Sequence, residues 1–214
     1  MPDSGSPLLK DLPDSLRGLA ERGDVRRYRK GTLLIQEGDS GDTLFIILAG
    51  RLRAYGTGDN DREITYGTYG PGEYLGEMSL DGGLRSASVI TLESSTCAIV
   101  TRQSLRRHIG EHPEFAFELL SKVIRRARAA TLSAKQLALN DVYGRLVLLL
   151  NGSATTQADG TRQIEERLTH QEIANRLGCS REMVSRLMKD LENGAYLAKD
   201  GPALRLLRPL PNRW

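Results

Sequence analysis

Short apolar runs separated by glycines dominate the first half of the chain. Segments of this kind, apolar or alternating and bounded by turn residues, predict β-strands with at least one buried face. We predict strands at residues 32–35, 44–49, 51–55, 63–69, 87–92 and 97–101. Many short strands at regular spacing indicate a β-sandwich or β-barrel.

A long helical segment begins after Pro113. Residues 114–140 contain neither glycine nor proline, and a proline suits the first turn of a helix. Apolar residues recur at steps of three and four in two overlapping registers, so the stripe is wider than a single seam. We predict a parallel homodimer through residues 117–138, because such a long helix exceeds what one domain normally needs. The alternative is a helix that lies on its own domain.

The pattern changes again in the last third of the chain. Residues 141–150 carry apolar positions at helical spacing and predict a second helix. Residues 151–160 are polar and predict a loop or a hairpin turn. Near the C-terminus, residues 195–198 and 203–207 flank an Asp-Gly pair, which predicts a β-hairpin.

Two short helices joined by a tight turn are predicted between residues 168 and 191. Thr169 is a preferred N-cap, and Glu172 completes a capping box three residues later. Gly178 permits a tight turn, and Ser180 caps the next helix. Apolar positions in that helix fall at i, i+3, i+4 and i+7, which predicts one buried face of Val184, Leu187, Met188 and Leu191. This arrangement is typical of a helix-turn-helix.

The opposite face of the second helix carries side chains that suit DNA bases. Arginine donates two N–H groups to guanine O6 and N7, and glutamate accepts from cytosine N4. A recognition helix presents its N-terminal side chains to the major groove, and the C-terminal hairpin would supply a wing. The candidates are Arg181, Glu182, Ser185 and Arg186. The alternative is an ordinary solvated face with an i,i+4 ion pair.

Composition leaves nucleic acid open as a partner and disfavours several other classes. The 214 residues include 30 Lys and Arg against 27 Asp and Glu, a net charge of +3. Cys97 and Cys179 form no CxxC pair, which argues against a zinc ribbon, a disulfide scaffold or an iron–sulfur sensor. No catalytic triad, metal-ligand spacing or phosphate loop is evident, so we expect neither enzyme activity nor a metal. Without a signal-peptide pattern or an apolar run of ~18 residues, we expect a soluble cytoplasmic protein with no membrane partner.

Three segments resemble the Crp/Fnr family of bacterial transcription regulators, of the catabolite activator type. The family's recognition helix is similar to residues 178–192, GCSREMVSRLMKDLE. The opening hairpins of its cyclic-nucleotide-binding barrels are similar to residues 33–55, LLIQEGDSGDTLFIILAGRLRAY. The phosphate-binding cassette of those barrels is similar to residues 74–89, YLGEMSLDGGLRSASV. The resemblance thus covers nearly the whole chain.

The resemblance implies an α+β architecture in three parts. Residues 1–112 would form a cyclic-nucleotide-binding β-barrel of the jelly-roll type. Residues 113–140 would form a dimerisation helix, and residues 141–214 a winged helix-turn-helix. A ligand between the barrel and the long helix would then repack the helices and reorient the recognition helices.

The cassette-like segment has the chemistry that a cyclic phosphate requires. Arg85 offers a guanidinium that matches two phosphate oxygens, and Gly76 allows the backbone to approach closely. Glu77 can accept a hydrogen bond from a ribose hydroxyl, and a short helix after Gly76 favours an anion. The candidate ligand-binding residues are Gly76, Glu77, Met78, Ser79, Arg85, Ser86 and Ala87, with Arg126, Ala130 and Thr131 on the long helix.

The identity of the ligand stays open at this point. Cyclic AMP is favoured, and the basic residues Arg125, Arg126 and Arg128 make cyclic di-GMP an alternative. A third possibility is a constitutive DNA binder whose silent barrel holds a structural ion pair between Glu77 and Arg85. Three departures from the family's pattern bear on this: a shorter loop before Arg85, Leu84 in place of a proline, and one hydroxyl missing at Ala130.

The resemblance also assigns DNA contacts. Base-reading positions of the family match Arg181, Glu182 and Arg186, which implies TGTGA-like half-sites in a near-palindrome. Phosphate-holding positions match Thr169, Gln171 and Ser180. His170 stands where a member of the family has an arginine, and we assign it to the DNA backbone; Ser185 replaces a glycine and adds a contact. The implied partners are double-stranded DNA, a second copy of the chain and RNA polymerase.

Overall fold

A computed structural model describes residues 7–10, 12–58, 62–158, 160–201 and 203–211. The chain divides into two units. The first contains Met1–Gly56 and Thr65–Ala129, and the second contains Thr57–Ile64 and Ala130–Trp214. The boundary near residue 129 therefore falls inside the long helix predicted from the sequence.

Among the described residues of the N-terminal part of the chain, eight strands build two four-stranded sheets. They are β1 (Asp24–Tyr28), β2 (Leu33–Ile35), β3 (Thr43–Ala49), β4 (Leu52–Thr57), β5 (Glu63–Tyr69), β6 (Tyr74–Leu75), β7 (Ser88–Thr91) and β8 (Ser95–Thr101). One sheet has the order β1-β8-β3-β6 and the other β2-β7-β4-β5. The predicted jelly-roll barrel thus takes the form of two separate sheets in the part of the chain that the structure describes.

All six strands predicted from the sequence are confirmed, with small shifts at their ends. In chain order they are β2, β3, β4, β5, β7 and β8. Two further strands, β1 and β6, carry no alternating apolar pattern. Strand β1 reads DVRRY and lies at the edge of its sheet, where even Val25 is 45% exposed. Charged side chains are common on edge strands because they discourage pairing with other chains.

Strand β3 is buried on both faces and organises the core. Its side chains alternate, so Leu44, Ile46 and Leu48 join one apolar cluster. The side chains between them, Phe45 and Ile47, join a second cluster. This double burial explains why β3 reads as a continuous apolar run in the sequence.

Two short helices that the sequence pattern did not reveal cover the first apolar cluster. They are α1 (Asp14–Ala20) and α2 (Arg102–Glu111). Thr101 caps α2 by accepting a hydrogen bond from the Ser104 N–H. Only Leu105 and His108 are buried in α2, too few for a clear apolar period.

The predicted long helix is confirmed as α3 (Glu114–Leu139). It buries Phe115 and leaves a wide set of apolar side chains in solvent, with Phe117 73% and Leu139 72% exposed. The other exposed apolar residues of the helix are Leu120, Val123, Ile124, Leu132 and Leu137. Exposed apolar faces of this extent mark interaction surfaces.

Beyond the end of α3, the described residues of the second unit form three helices packed on a small sheet. Its elements are α4 (Val142–Ser153), β9 (Thr155–Thr156), β10 (Arg162–Ile164), α5 (His170–Leu177), α6 (Arg181–Asn193), β11 (Leu197–Asp200) and β12 (Ala203–Leu206). The sheet has the order β11-β12-β10-β9. The prediction for 151–160 resolves as a hairpin, because β9 and β10 pair antiparallel after α4 ends. The predicted C-terminal hairpin is confirmed as β11 and β12.

Candidate ligand cradle and nucleic-acid interface

The candidate ligand cradle is the site around Gly76, Glu77 and Arg85. It begins with a tight turn at Gly76. Gly76 has φ +96°, a conformation that side chains rarely adopt. An added Cβ would lie 2.5 Å from the Thr43 carbonyl oxygen and 2.6 Å from Arg85 Nη1. Glycine is therefore required here for both backbone and packing reasons. The turn leads from β6 into a short 3₁₀ segment, Glu77–Ser79.

Arg85 is buried, with 7% of its surface exposed, and its guanidinium is held by the protein's own acceptors. Nη1 donates to the carbonyls of Thr43 (3.0 Å) and Gly76 (3.1 Å) and to Ser79 Oγ (2.9 Å). Nη2 donates to the carbonyl and the hydroxyl of Thr43, both at 3.0 Å. Burial lowers the pKa of Arg85, and the nearby Asp42 and Glu77 oppose that effect. A phosphate at this position has to exchange with partners that are already present.

Glu77 is also buried, at 6% exposure, and it is paired with a cation from α3. Arg126 Nη1 forms an ion pair with Glu77 Oε1. Arg126 Nη2 donates to the carbonyl of Tyr74 at 2.7 Å, and the guanidinium lies 4.8 Å from the centre of the Tyr69 ring. The sequence alternative of a Glu77–Arg85 ion pair is wrong, because Arg126 holds the carboxylate and Arg85 bonds elsewhere.

Lys122 lies one helical turn before Arg126 and contacts the neighbouring residues Glu73 and Tyr74. Its Nζ lies 4.0 Å from the centre of the Tyr74 ring and 3.9 Å from Glu73 Oε1. Burial lowers the pKa of Lys122, and Arg126 adds to the effect. Burial has the opposite effect on Tyr74, because it disfavours the charged phenolate, and raises the pKa of Tyr74 to about 12. Sequence reasoning missed Lys122, Tyr69 and Tyr74, although the i,i+4 spacing of two cations on α3 was a usable signal.

The remaining candidate ligand residues are spread around this centre. Ser79 is buried and donates to the Gly76 carbonyl at 3.1 Å. Met78 is 57% exposed, and the exposed Ser86 hydroxyl lies 3.4 Å from its sulfur. Ala87 is half-buried. Ala130 and Thr131 are exposed positions of α3 that belong to the second unit, so their part in a ligand site stays a prediction.

The helix-turn-helix has the predicted caps. Thr169 Oγ1 accepts from the Glu172 N–H at 3.2 Å, and Glu172 Oε2 accepts from the Thr169 N–H at 2.7 Å. The turn contains Gly178 at φ +65°. Ser180 Oγ accepts from the Met183 N–H at 3.2 Å and starts α6. These local bonds fix α5 and α6 as the sequence predicted.

Helix α6 has one buried and one exposed face. Val184, Met188 and Leu191 are buried, and Leu187 packs beside them. The exposed face brings together the candidate base readers Arg181, Glu182 and Arg186. Hydrogen bonds from the backbone N–H of Glu182 and from Ser180 hold the pKa of the Glu182 carboxyl below its usual range. An ionised carboxylate is the form that accepts hydrogen bonds.

His170 and Gln171, the α5 residues predicted to contact phosphates, form hydrogen bonds with other side chains of the protein. His170 Nδ1 lies 2.8 Å from Ser185 Oγ of α6. Gln171 Nε2 donates to Asn175 Oδ1 at 2.8 Å, and Asn175 Nδ2 donates to Glu63 Oε2 at 3.1 Å, all within the second unit. The sequence pattern did not identify Asn175 or Glu63, which have no motif of their own.

Other kinds of site receive no support from the described part of the chain. Among those residues, no group of three or more His, Cys, Asp or Glu side chains is placed to hold a metal ion. No described helix combines the length and apolar character of a membrane span. Burial raises the pKa of the Cys97 thiol to about 12, which keeps it protonated and unreactive.

Comparison with known proteins agrees with this division. Residues 25–112 match the family of cyclic nucleotide-binding domains, and residues 167–194 match the family described as bacterial regulatory proteins, crp family. The cAMP-activated global transcriptional regulator CRP of Haemophilus influenzae is 30% identical over 187 residues, which cover 84% of this chain and 82% of that protein. The chain belongs to the Crp family. It is a transcription regulator of that family and not an enzyme.

Two further proteins are similar to this chain. The CRP-like cAMP-activated global transcriptional regulator of Mycobacterium tuberculosis is 29% identical over 196 residues, covering 90% of this chain and 88% of that protein. The structure of the c-di-GMP responsive global regulator CLP of Xanthomonas campestris aligns with a TM-score of 0.79 and 26% identity, covering 91% of this chain and 98% of CLP. The relatives therefore include proteins described as responding to different cyclic nucleotides.

Proposed function

We propose that the chain is a homodimeric, sequence-specific DNA-binding regulator whose affinity for DNA is controlled by a cyclic nucleotide. The observation that carries the DNA-binding part is α6, which is capped, buried on one side and exposed at Arg181, Glu182 and Arg186 on the other. By function, the sensor spans residues 1–112, the dimerisation helix 113–140 and the DNA-binding domain 141–214. A regulator of chromosomal DNA acts in the cytoplasm.

The proposed DNA interface separates base reading from backbone contacts. The three exposed side chains of α6 read bases in TGTGA-like half-sites, since arginine suits guanine and glutamate suits cytosine. Phosphates are held near the starts of α5 and α6 by Thr169, His170, Gln171 and Ser180, where backbone N–H groups also point outward. Such contacts position the protein without selecting sequence.

The proposed dimer uses the exposed apolar face of α3. Two chains related by a two-fold axis through this helix would place two recognition helices about one DNA turn, ~34 Å, apart. A near-palindromic site follows from that symmetry. Selection of bound duplexes from a random pool tests this directly: we expect two inverted half-sites, and enrichment of a single unrepeated motif would contradict the dimer. RNA polymerase is the partner that a regulator bound beside a promoter would contact.

The proposed ligand site is the cradle around Glu77 and Arg85. A cyclic phosphate would take the guanidinium from the Thr43 and Ser79 oxygens, and a ribose hydroxyl would compete with Arg126 for the Glu77 carboxylate. Because Arg126 lies on α3, such competition would loosen one tie between that helix and the cradle. This supports a route from ligand to helix packing.

Cyclic AMP is the favoured ligand because the cradle offers one buried guanidinium and one carboxylate, which suit one phosphate and one ribose. Cyclic di-GMP is the second candidate, favoured by the exposed arginines at 125 and 128 and by the likeness to CLP. A silent cradle is the third, since Glu77 and Arg85 already have partners.

Calorimetry with each nucleotide separates these candidates. We expect cyclic AMP to bind the wild-type chain, and Arg85→Leu to lose that binding. Heat from cyclic di-GMP alone would favour the second candidate. Absence of binding by both nucleotides and by cyclic GMP would leave a constitutive DNA binder.

A further inference from the structure

A hydrogen bond joins the two helices of the DNA-binding motif at their exposed end. His170 is the first residue of α5, and Ser185 lies in the second turn of α6. Their side chains meet at 2.8 Å between Nδ1 and Oγ, and both residues are half-buried.

The chemistry of this bond decides what the rest of the imidazole ring can do. A neutral imidazole carries its proton on one nitrogen, and the other nitrogen is an acceptor. The Ser185 hydroxyl can either donate to Nδ1 or accept from it. When it donates, the ring proton sits on Nε2 and that nitrogen becomes a donor. A DNA phosphate offers only acceptor oxygens, so it bonds to that form and not to the other tautomer.

The position of His170 fits a phosphate contact. It lies between the cap Thr169 and Gln171, in the first turn of α5, where backbone N–H groups and the helix dipole favour an anion. Ser185, by contrast, turns its hydroxyl toward His170 and is less exposed than Arg181 or Arg186 of the same helix. Its hydroxyl is thus engaged within the protein rather than presented to a base.

We propose that Ser185 is a positioning residue, which holds His170 in the Nε2–H form so that this group donates to a DNA phosphate. The proposal rests on the proposed DNA-binding function and deepens it. Ser185 then affects affinity through His170 and leaves base preference unchanged. The alternative outcome is that Ser185 contacts a base edge itself.

A double-mutant cycle on the full chain tests the proposal. Ser185→Ala, His170→Ala and the double variant are titrated with a duplex carrying TGTGA-like half-sites and with single-base variants of it, at fixed salt. We expect each single variant to bind about 3- to 10-fold more weakly, and the double variant to bind no more weakly than His170→Ala alone. Ser185→Thr retains the hydroxyl and is expected to keep wild-type affinity.

Nitrogen NMR of the His170 ring in the free protein gives a readout that does not depend on DNA. We expect the Nε2–H tautomer in the wild type and a mixture of tautomers in Ser185→Ala. Additive losses in the cycle, or a changed base preference in Ser185→Ala, would overturn the positioning role. If the wild type bound no duplex while its ring still held the Nε2–H form, the proposed DNA-binding function would fail and the proposed phosphate contact with it, although the side-chain pair would stand.

Discussion

Replacing Arg85 by leucine removes the group that ties strand β3 to the turn at Gly76–Ser79. The guanidinium donates to the Thr43 carbonyl and hydroxyl, to the Gly76 carbonyl and to Ser79 Oγ. In Arg85→Leu the Gly76 carbonyl keeps the Ser79 hydroxyl as a donor, whereas the Thr43 carbonyl loses both of its donors from Arg85. The bonds share one guanidinium and are not additive.

The hydrogen bonds lost in Arg85→Leu set the size of the change in the free energy of unfolding. A hydrogen bond to a charged group contributes about 1.5–3 kcal/mol, and a buried acceptor left unpaired costs about 1–3 kcal/mol. We therefore expect Arg85→Leu to lower the free energy of unfolding by about 2–4 kcal/mol. A domain of ordinary stability, about 5–15 kcal/mol, still folds after such a loss. The variant should lose its response to cyclic nucleotide while remaining folded.

Urea unfolding followed by circular dichroism measures both effects. The exposed Arg51 gives a matched control, because Arg51→Leu should change the free energy of unfolding by less than about 0.5 kcal/mol. Nucleotide at 100 times its dissociation constant should stabilise the wild type by about 2.7 kcal/mol and leave Arg85→Leu unchanged. Wild-type stability in Arg85→Leu would refute the reasoning, since the guanidinium would then have no structural partners in solution.

Three further predictions concern other parts of the chain. Glu182→Ala should relax base preference at one position of each half-site by about 1–3 kcal/mol, and an unchanged preference across single-base variants would show that α6 docks by another face. Ala134→Glu places a carboxylate in the exposed stripe of α3 and should give monomers that lose DNA binding; sedimentation identical to wild type would contradict the dimer. Stability should fall as pH drops below about 6.5, because burial, aided by His112 and Arg22, lowers the pKa of His108 in the folded state, so the unfolded chain takes up the proton first. Urea midpoints at pH 7.5 and 5.5 should converge in His108→Leu, and an unaltered pH dependence in that variant would exclude His108 as the cause.

The environment of His108 explains the sign of the last effect. The residue is 1% exposed, its Nε2 lies 3.1 Å from the Ser15 carbonyl, and its ring packs edge-on against Phe115. A carbonyl only accepts, so Nε2 carries the proton and Nδ1 is bare. Among the described residues Nδ1 has no hydrogen-bond partner, so a second proton there would be buried without compensation.

Elements with local signals were predictable from the sequence, and those that depend on distant partners were not. The helix-turn-helix is specified within a few residues by Thr169, Gly178 and Ser180. Strand β1 forms because Asp24–Tyr28 pairs with β8, about 70 residues later in the chain. Its side chains are mostly charged, so it lacks the apolar pattern by which a strand is predicted. Helix α2 is similarly short and polar, and its burial depends on α1 and β8.

The candidate sites follow the same rule. The types of residue in the cradle were evident from the cassette-like segment, whereas the Glu77–Arg126 pair joins positions 49 residues apart. Likewise, α6 was recognised by its own period, but the bond between His170 and Ser185 required two helices to be placed against each other. The pattern of apolar residues along a sequence reveals the periodicity of a single helix or strand. Pairs of side chains on different elements can be identified only once the fold is known.

Control of DNA affinity by a cyclic nucleotide is tested most directly by one titration. The dissociation constant of the full chain for a duplex with two inverted TGTGA-like half-sites is measured without ligand, with cyclic AMP and with cyclic di-GMP, at one salt concentration. We predict that one nucleotide changes the constant by at least about fivefold in the wild type and leaves it unchanged in Arg85→Leu. Equal dissociation constants in all three conditions would contradict ligand control.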